Sequence, residues 1–202
     1  MLETIGRPFF SQGTERMKIK LIVAVLLGGV VFLSGCGGSP SLTQSYMREN
    51  ASLSYIQTVA VLPFEGGKRA PRIRELTTTQ LLASGLVDVI DKGRVDSFLQ
   101  QEAISPDEAL DNFTIKRMGE SLQIDAILRG SVEQTEGVRG NSTFTEMIIT
   151  LRLIDTETGL LLWQASGRGS GYSLLDRMFG FAPKDSFTVT LDLLNALFAT
   201  MR

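Results

Sequence analysis

The apolar positions of this chain change period several times, and each change marks an element. Thr58 to Phe64 (TVAVLPF) is a compact apolar run stopped by proline, which predicts a buried strand. Pro71 suits a first helical turn and Gly85 a helix stop, so 71–85 is predicted helical. Leu86 to Asp91 (LVDVID) reads as a second strand. Over 94–103, Val95, Phe98, Leu99 and Glu102 recur at helical spacing, and over 114–123 Ile115, Met118 and Leu122 do the same. Ile124 to Gln134 reads as a third strand. From 143 to 169 the period drops to two. Met147, Ile149, Leu151 and Leu153 share one side, Leu161, Trp163 and Ala165 share it on the return, and Asp155 to Gly159 supplies the turn of a hairpin. Phe187, Leu191, Leu194, Phe198 and Met201 form the stripe of a terminal helix docked on the sheet.

The predicted order is βαβααβββα, an α/β fold. Strand–helix–strand units favour a parallel first half with right-handed crossovers, and the hairpin adds antiparallel strands. A mixed parallel and antiparallel sheet covered by helices is expected, as a single domain over 57–202.

The region before that domain has another character. Met17 to Lys20 gives a short positive start, and Leu21 to Phe32 is an almost unbroken apolar run of 12 residues. A bilayer-spanning helix needs about 20 residues, so this length fits the apolar part of a secretory signal. Leu33, Ser34, Gly35 and Cys36 follow, and they resemble the lipobox of bacterial lipoproteins. The resemblance implies cleavage before Cys36, a covalent lipid on its thiol as the membrane anchor, and a signal peptide over 17–35. A retained signal-anchor helix with a buried cysteine is the alternative. Residues 1–16 then precede a better start at Met17 and read as a misassigned beginning of the reading frame. Gly37, where Asp would resemble an inner-membrane retention signal, favours the periplasmic face of the outer membrane. In an organism with one membrane the expectation becomes the cell membrane. Residues 36–56 are small and polar and read as a lipidated flexible tether.

Removing the leader takes away Arg7, Arg16, Lys18, Lys20, Glu3 and Glu15, leaving 16 basic residues against 20 acidic. That balance gives no general pull towards nucleic acid. Histidine is absent and Cys36 is the only cysteine, so Ser–His triads, histidine metal ligands and an internal disulfide are excluded. No catalytic residue, metal site or cofactor is expected. Asp88, Asp91, Asp125 and Asp155 fall at strand ends and turns, where carboxylates accept turn and cap hydrogen bonds. The loop FEGGKRAP lacks the spacing of a phosphate loop and reads as a plain connection. SGRGSG (166–171) reads as a flexible exit from the hairpin. The basic cluster Lys68, Arg69, Arg72 and Arg74 opposes the dipole of the helix it begins. Together with Phe179 and Phe181 of the apolar loop 173–183 it is the candidate partner surface; the alternatives are a solvated loop for the cations and, for 173–183, a short helix folded back on the core.

VAVLPF, SGLVDVIDKGRVDSFLQQE, GESLQIDAILRGSV and LRLIDTETGLLLW, taken in order over 57–166, resemble the family of the curli secretion-channel lipoprotein and the penicillin-binding-protein activator lipoproteins. The residues that carry it are Asp91 with Arg94, Gly119, Asp125 with Ala126, Gly130, and Asp155 with Thr158 and Gly159. The resemblance implies a fold similar to the amino-terminal domain of the TolB translocation protein. It also implies a non-enzymatic envelope lipoprotein acting as a scaffold or regulator through protein contact, with self-association as a further expectation. A subunit of a curli-like secretion channel is the alternative. The candidate inserts 134–142 and 169–186 are short and lack the long alternation of barrel strands.

Overall fold

A computed structural model of the chain describes residues 42–49, 53–105, 108–139, 142–172 and 182–201. The elements are β1 (Leu42–Met47), β2 (Thr58–Val61), β3 (Glu65–Gly66), α1 (Ala70–Ser84), β4 (Asp88–Val89), α2 (Lys92–Gln101), α3 (Asn112–Leu122), β5 (Ala126–Arg139), β6 (Ser142–Asp155), β7 (Leu161–Ser170) and α4 (Ser186–Phe198). Seven strands form one sheet in the order β1-β7-β6-β5-β2-β4, with β3 extending the β2 side of β5. Pairing is parallel among β4, β2, β3 and β5, and antiparallel among β5, β6, β7 and β1. The expected mixed α/β sheet is therefore what forms, with β1 and β3 as additions to the predicted order.

The crossover from β2 to β4 and the crossover from β4 back past β2 to β5 run in opposite directions. Crossovers of one hand then place their helices on opposite faces. Val59 and Val61 pack with Ile73 and Leu81 of α1 and with Val189, Leu193, Leu194 and Leu197 of α4. Ala60 and Leu62 point the other way, onto Val95, Phe98 and Leu99 of α2 and Ile115, Met118 and Leu122 of α3. Asp91, Asp111 and Asp185 cap α2, α3 and α4 through hydrogen bonds from Gly93, Thr114, and Phe187 with Thr188. Backbone and side-chain bonds from Thr114 and Thr188 hold the carboxyls of Asp111 and Asp185 below the usual range.

Met147, Ile149, Leu151, Leu153, Trp163 and Ala165 are buried as the hairpin pattern predicts. The Trp163 ring stacks on Phe198 at 6.3 Å and its Nε1–H donates to Thr200 Oγ1 at 3.1 Å. A register shift beside Leu153 and Ile154 buries Leu162 and leaves Leu161 only half-buried.

Three expectations are corrected. The stretch 36–56, expected to be a tether, contributes β1, which pairs with β7 from Leu42 against Arg168 to Met47 against Trp163. Its polar residues Thr43 and Ser45 hid the strand, because an edge strand needs only one partner and little apolar area. SGRGSG is not a flexible exit: through Ser170 it is strand, and Gly167 and Gly169 lie directly beneath α4. A Cβ on Gly167 would come within 2.8 Å of Leu193 Cδ1. In α4 the buried face is Val189, Thr190, Leu193, Leu194, Leu197 and Phe198, with Phe187 exposed and Leu191 half-buried. This helix is apolar nearly all round, so the stripe could be drawn along more than one row.

Candidate functional site

The carboxylates singled out by the sequence are engaged in holding the fold. Asp125 Oδ2 accepts the backbone N–H groups of Gln57 and Thr58 at 2.8 and 2.9 Å, which pins the start of β2 beside β5. Asp91 Oδ1 accepts Gly93 N–H at 2.8 Å, and Arg94 reaches Leu122 O at 3.3 Å, tying α2 to the end of α3. Asp88 lies exposed in the short β4. Asp155 Oδ1 accepts Thr158 N–H at 2.7 Å and Thr158 Oγ1–H at 2.5 Å, and Oδ2 accepts the Tyr55 hydroxyl at 2.9 Å. Burial pushes the Asp155 carboxyl up, but the bonds from Thr158 and Tyr55 outweigh it, and the group sits below the usual range. Burial together with the Asp155 bond pushes the Tyr55 hydroxyl up to about 12. Gly159 takes a φ of 70° to close the turn. Gly130 lies under the ring of Phe64, where a Cβ would approach within 2.6 Å. Among the described residues no group of three His, Cys, Asp or Glu side chains is arranged to hold a metal.

The four cations of the candidate partner surface divide. Lys68, Arg69 and Arg72 are exposed at the start of α1, and among the described residues none has an ion-pair partner. Arg74 does not belong with them, because it is only 4% exposed. Its Nε and Nη2 donate to Val61 O at 3.0 and 2.7 Å, and Nη1 meets Asp96 Oδ1 at 2.7 Å. The physical reason lies in the sheet. Ile90 N–H satisfies Val59 O on the β4 side, but the following carbonyl on that side, Val61 O, lies beyond the end of β4. A buried carbonyl without a donor is costly, and the guanidinium fork stands in for the missing strand. The spacing Ala70, Arg74, Thr77, Leu81 is the sequence signal that places Arg74 on the buried face of α1.

Lys68 and Arg69 line a concavity of about 360 Å³ against Val132, Gln134 and Glu136 of β5. Arg69 and Arg72 also share a cleft with Ser186 and Phe187 at the start of α4. Phe187 is 45% exposed and Val138, farther along β5, is 74% exposed. One end of the domain thus gathers three cations without an ion-pair partner among the described residues and two exposed apolar side chains. The sequence identifies the cations, whereas Phe187, which its helical spacing places on the docked stripe, is exposed here. Phe179 and Phe181 lie outside the described residues, as do Leu33, Ser34, Gly35 and Cys36.

Residues 72–168 match the family model described as Peptidoglycan-synthase activator LpoB. No curated protein matches the chain. Among solved structures the fold is similar to the PelC dodecamer from Paraburkholderia phytofirmans, at 16% identity and a TM-score of 0.54, covering 79% of this chain and 96% of that one. A single-substitution variant of the same PelC dodecamer gives 18% identity and a TM-score of 0.55 over the same shares. Lipoprotein GNA1162 from Neisseria meningitidis is similar at 16% identity and a TM-score of 0.50, over 72% of this chain and 94% of that one. At these identities the likeness is one of fold. The curli-channel side of the resemblance finds no support in these matches.

Proposed function

We propose that this chain is a non-enzymatic envelope lipoprotein that activates a peptidoglycan synthase through protein contact. The observation that carries the reading is the match of 72–168 to the activator family model, which runs from α1 to β7 and so includes most of the sheet. The mixed sheet and the structural use of Asp91, Asp125 and Asp155 support a domain that acts by contact. In this reading Cys36 is acylated, and the domain sits at the periplasmic face of the outer membrane. It sits at the cell membrane where there is only one.

Reach is limited in this reading by the length of chain between Cys36 and β1. Five residues lie between Cys36 and Leu42, and six steps of an extended chain at about 3.3–3.6 Å each span at most about 20 Å, so in this reading β1 starts within about 20 Å of the anchor. The partner must come to the membrane that holds this protein. The test is to add the lipidated protein to each peptidoglycan synthase of its host, supplied with lipid-linked precursor. The expected result is a several-fold rise in polymerisation or crosslinking for one of them. An unchanged rate for every synthase, with the domain folded, overturns the proposal.

Self-association is a second reading, favoured by the position of β1 at the end of the sheet, with no further strand on its outer side among the described residues. The PelC chains of similar fold are dodecamers. Light scattering of the detergent-extracted protein tests it: a mass of several protomers supports it, and a monomer excludes it.

A further inference from the structure

We propose that the end of the domain bearing Lys68, Arg69 and Arg72 docks directly on the anionic lipid headgroups of the leaflet that holds the anchor. The inference rests on acylation of Cys36 and not on the identity of any protein partner.

Topology carries the argument. Strand β1 begins at Leu42, opposite Arg168 of β7, which lies opposite Ile148 of β6, which lies opposite Glu133 of β5. Glu133 directly follows Val132, the partner of Gly66. Leu42 is therefore level with the loop that delivers Lys68 and Arg69 to the start of α1. Strands lie about 4.8 Å apart, so the entry point of the chain and this cluster are separated by roughly 20 Å across the sheet. The chain before Leu42 is at most about 20 Å long to Cys36. An anchor on so short a leash brings this end, and not the turn end at Leu160, to the lipid surface.

The chemistry of the end fits that surface. Its three cations have no ion-pair partner among the described residues, whereas Arg168 is paired with Glu146 and Lys184 with Asp192. Asp185 is engaged as the cap of α4. Glu133 and Glu136 are the exposed acidic groups nearby. Cations at a helix start oppose the helix dipole, and an anionic surface compensates for that cost. Phe187 shares a cleft with Arg69 and Arg72, and Val138 lies farther along β5 at the same end; both are exposed apolar contacts for the headgroup layer.

The test uses the full lipidated chain in vesicles. With Cys36 acylated, an introduced cysteine is the sole free thiol. A fluorophore is placed at Val138→Cys, or at Leu160→Cys on the opposite end, and quenched by spin-labelled lipid. In phosphatidylethanolamine–phosphatidylglycerol vesicles, quenching at 138 should exceed that at 160. Each cation near an anionic surface is worth roughly a fivefold gain, so changing Lys68, Arg69 and Arg72 to Gln should lower the ratio of docked to undocked protein about a hundredfold. Added salt or phosphatidylcholine vesicles should act in the same direction. Unchanged Trp163 emission checks that the triple variant is folded. Equal quenching at both sites, or quenching at 138 indifferent to the three cations and to lipid charge, overturns the docking and returns the cluster to a protein partner. A chain that does not stay on the vesicles refutes acylation of Cys36 and this inference with it. A failed synthase assay leaves the docking intact.

Discussion

Arg74 offers the sharpest test of how the sheet is held. Replacing it with Ala removes both donors to Val61 O and the partner of Asp96. An unsatisfied buried carbonyl costs about 1–3 kcal/mol. Loss of the buried arginine stem adds about 1 kcal/mol of packing. Asp96 is 34% exposed, so it is rehydrated and adds little. The expected loss is about 3 kcal/mol, below the about 5 kcal/mol reached when a fully buried partner is left charged. Asp96→Ala should cost less, about 1–2 kcal/mol, because the two bonds to Val61 O survive. Arg74→Lys should fall between the two, since an ammonium group cannot reproduce the fork. Urea unfolding followed by Trp163 emission measures all three. With a slope of about 1–3 kcal/mol per molar urea, Arg74→Ala should lower the midpoint by roughly 1–3 M. A midpoint unchanged by Arg74→Ala, or Asp96→Ala proving the more damaging, would refute the role given to the fork. The result also bears on function, because any loss of partner binding in Arg74 variants would report a weakened sheet.

Three further outcomes are expected. Asp155 has a folded pKa below its unfolded value, so it contributes stability above the ordinary carboxylate range that is lost as pH falls through the folded pKa; Asp155→Asn should therefore destabilise the domain at neutral pH and differ least from the parent in strong acid, as thermal melts against pH would show. Gly130→Ala should lower the melting temperature by several degrees, because the new Cβ meets the Phe64 ring, and an unchanged melt would contradict that contact. Mass spectrometry of the native protein should find the chain beginning at an acylated Cys36, and Cys36→Ala remaining tightly membrane-bound would remove the anchor.

The parts of the fold that were legible in the sequence are those where side chains alone decide. Ile115, Met118 and Leu122 had to share a helix face, and the alternation from Met147 to Leu153 had to be a half-buried strand. Asp155 and Gly159 announced their turn. What escaped were features whose stabilisation comes from elsewhere in the chain. β1 has little apolar area and exists because β7 offers it an open edge. Arg74 looked like one of four surface cations, and only the early end of β4 explains its burial. The basic end was legible as charge from Lys68, Arg69 and Arg72. Its being level with the entry of the chain at Leu42 was not, because that depends on the register of β1.

The register of β1 also orders events in time. Ser45 pairs with Ala165, 120 positions later in the chain. Contacts so distant in sequence form late, after β7 has been synthesised and paired with β6. Until then the segment 42–47 has no sheet edge to join, so any enzyme acting on the residues before it meets an undocked chain. Closing β1 onto β7 is then the last step in building the sheet, and it brings the chain at Leu42 level with the loop that starts α1.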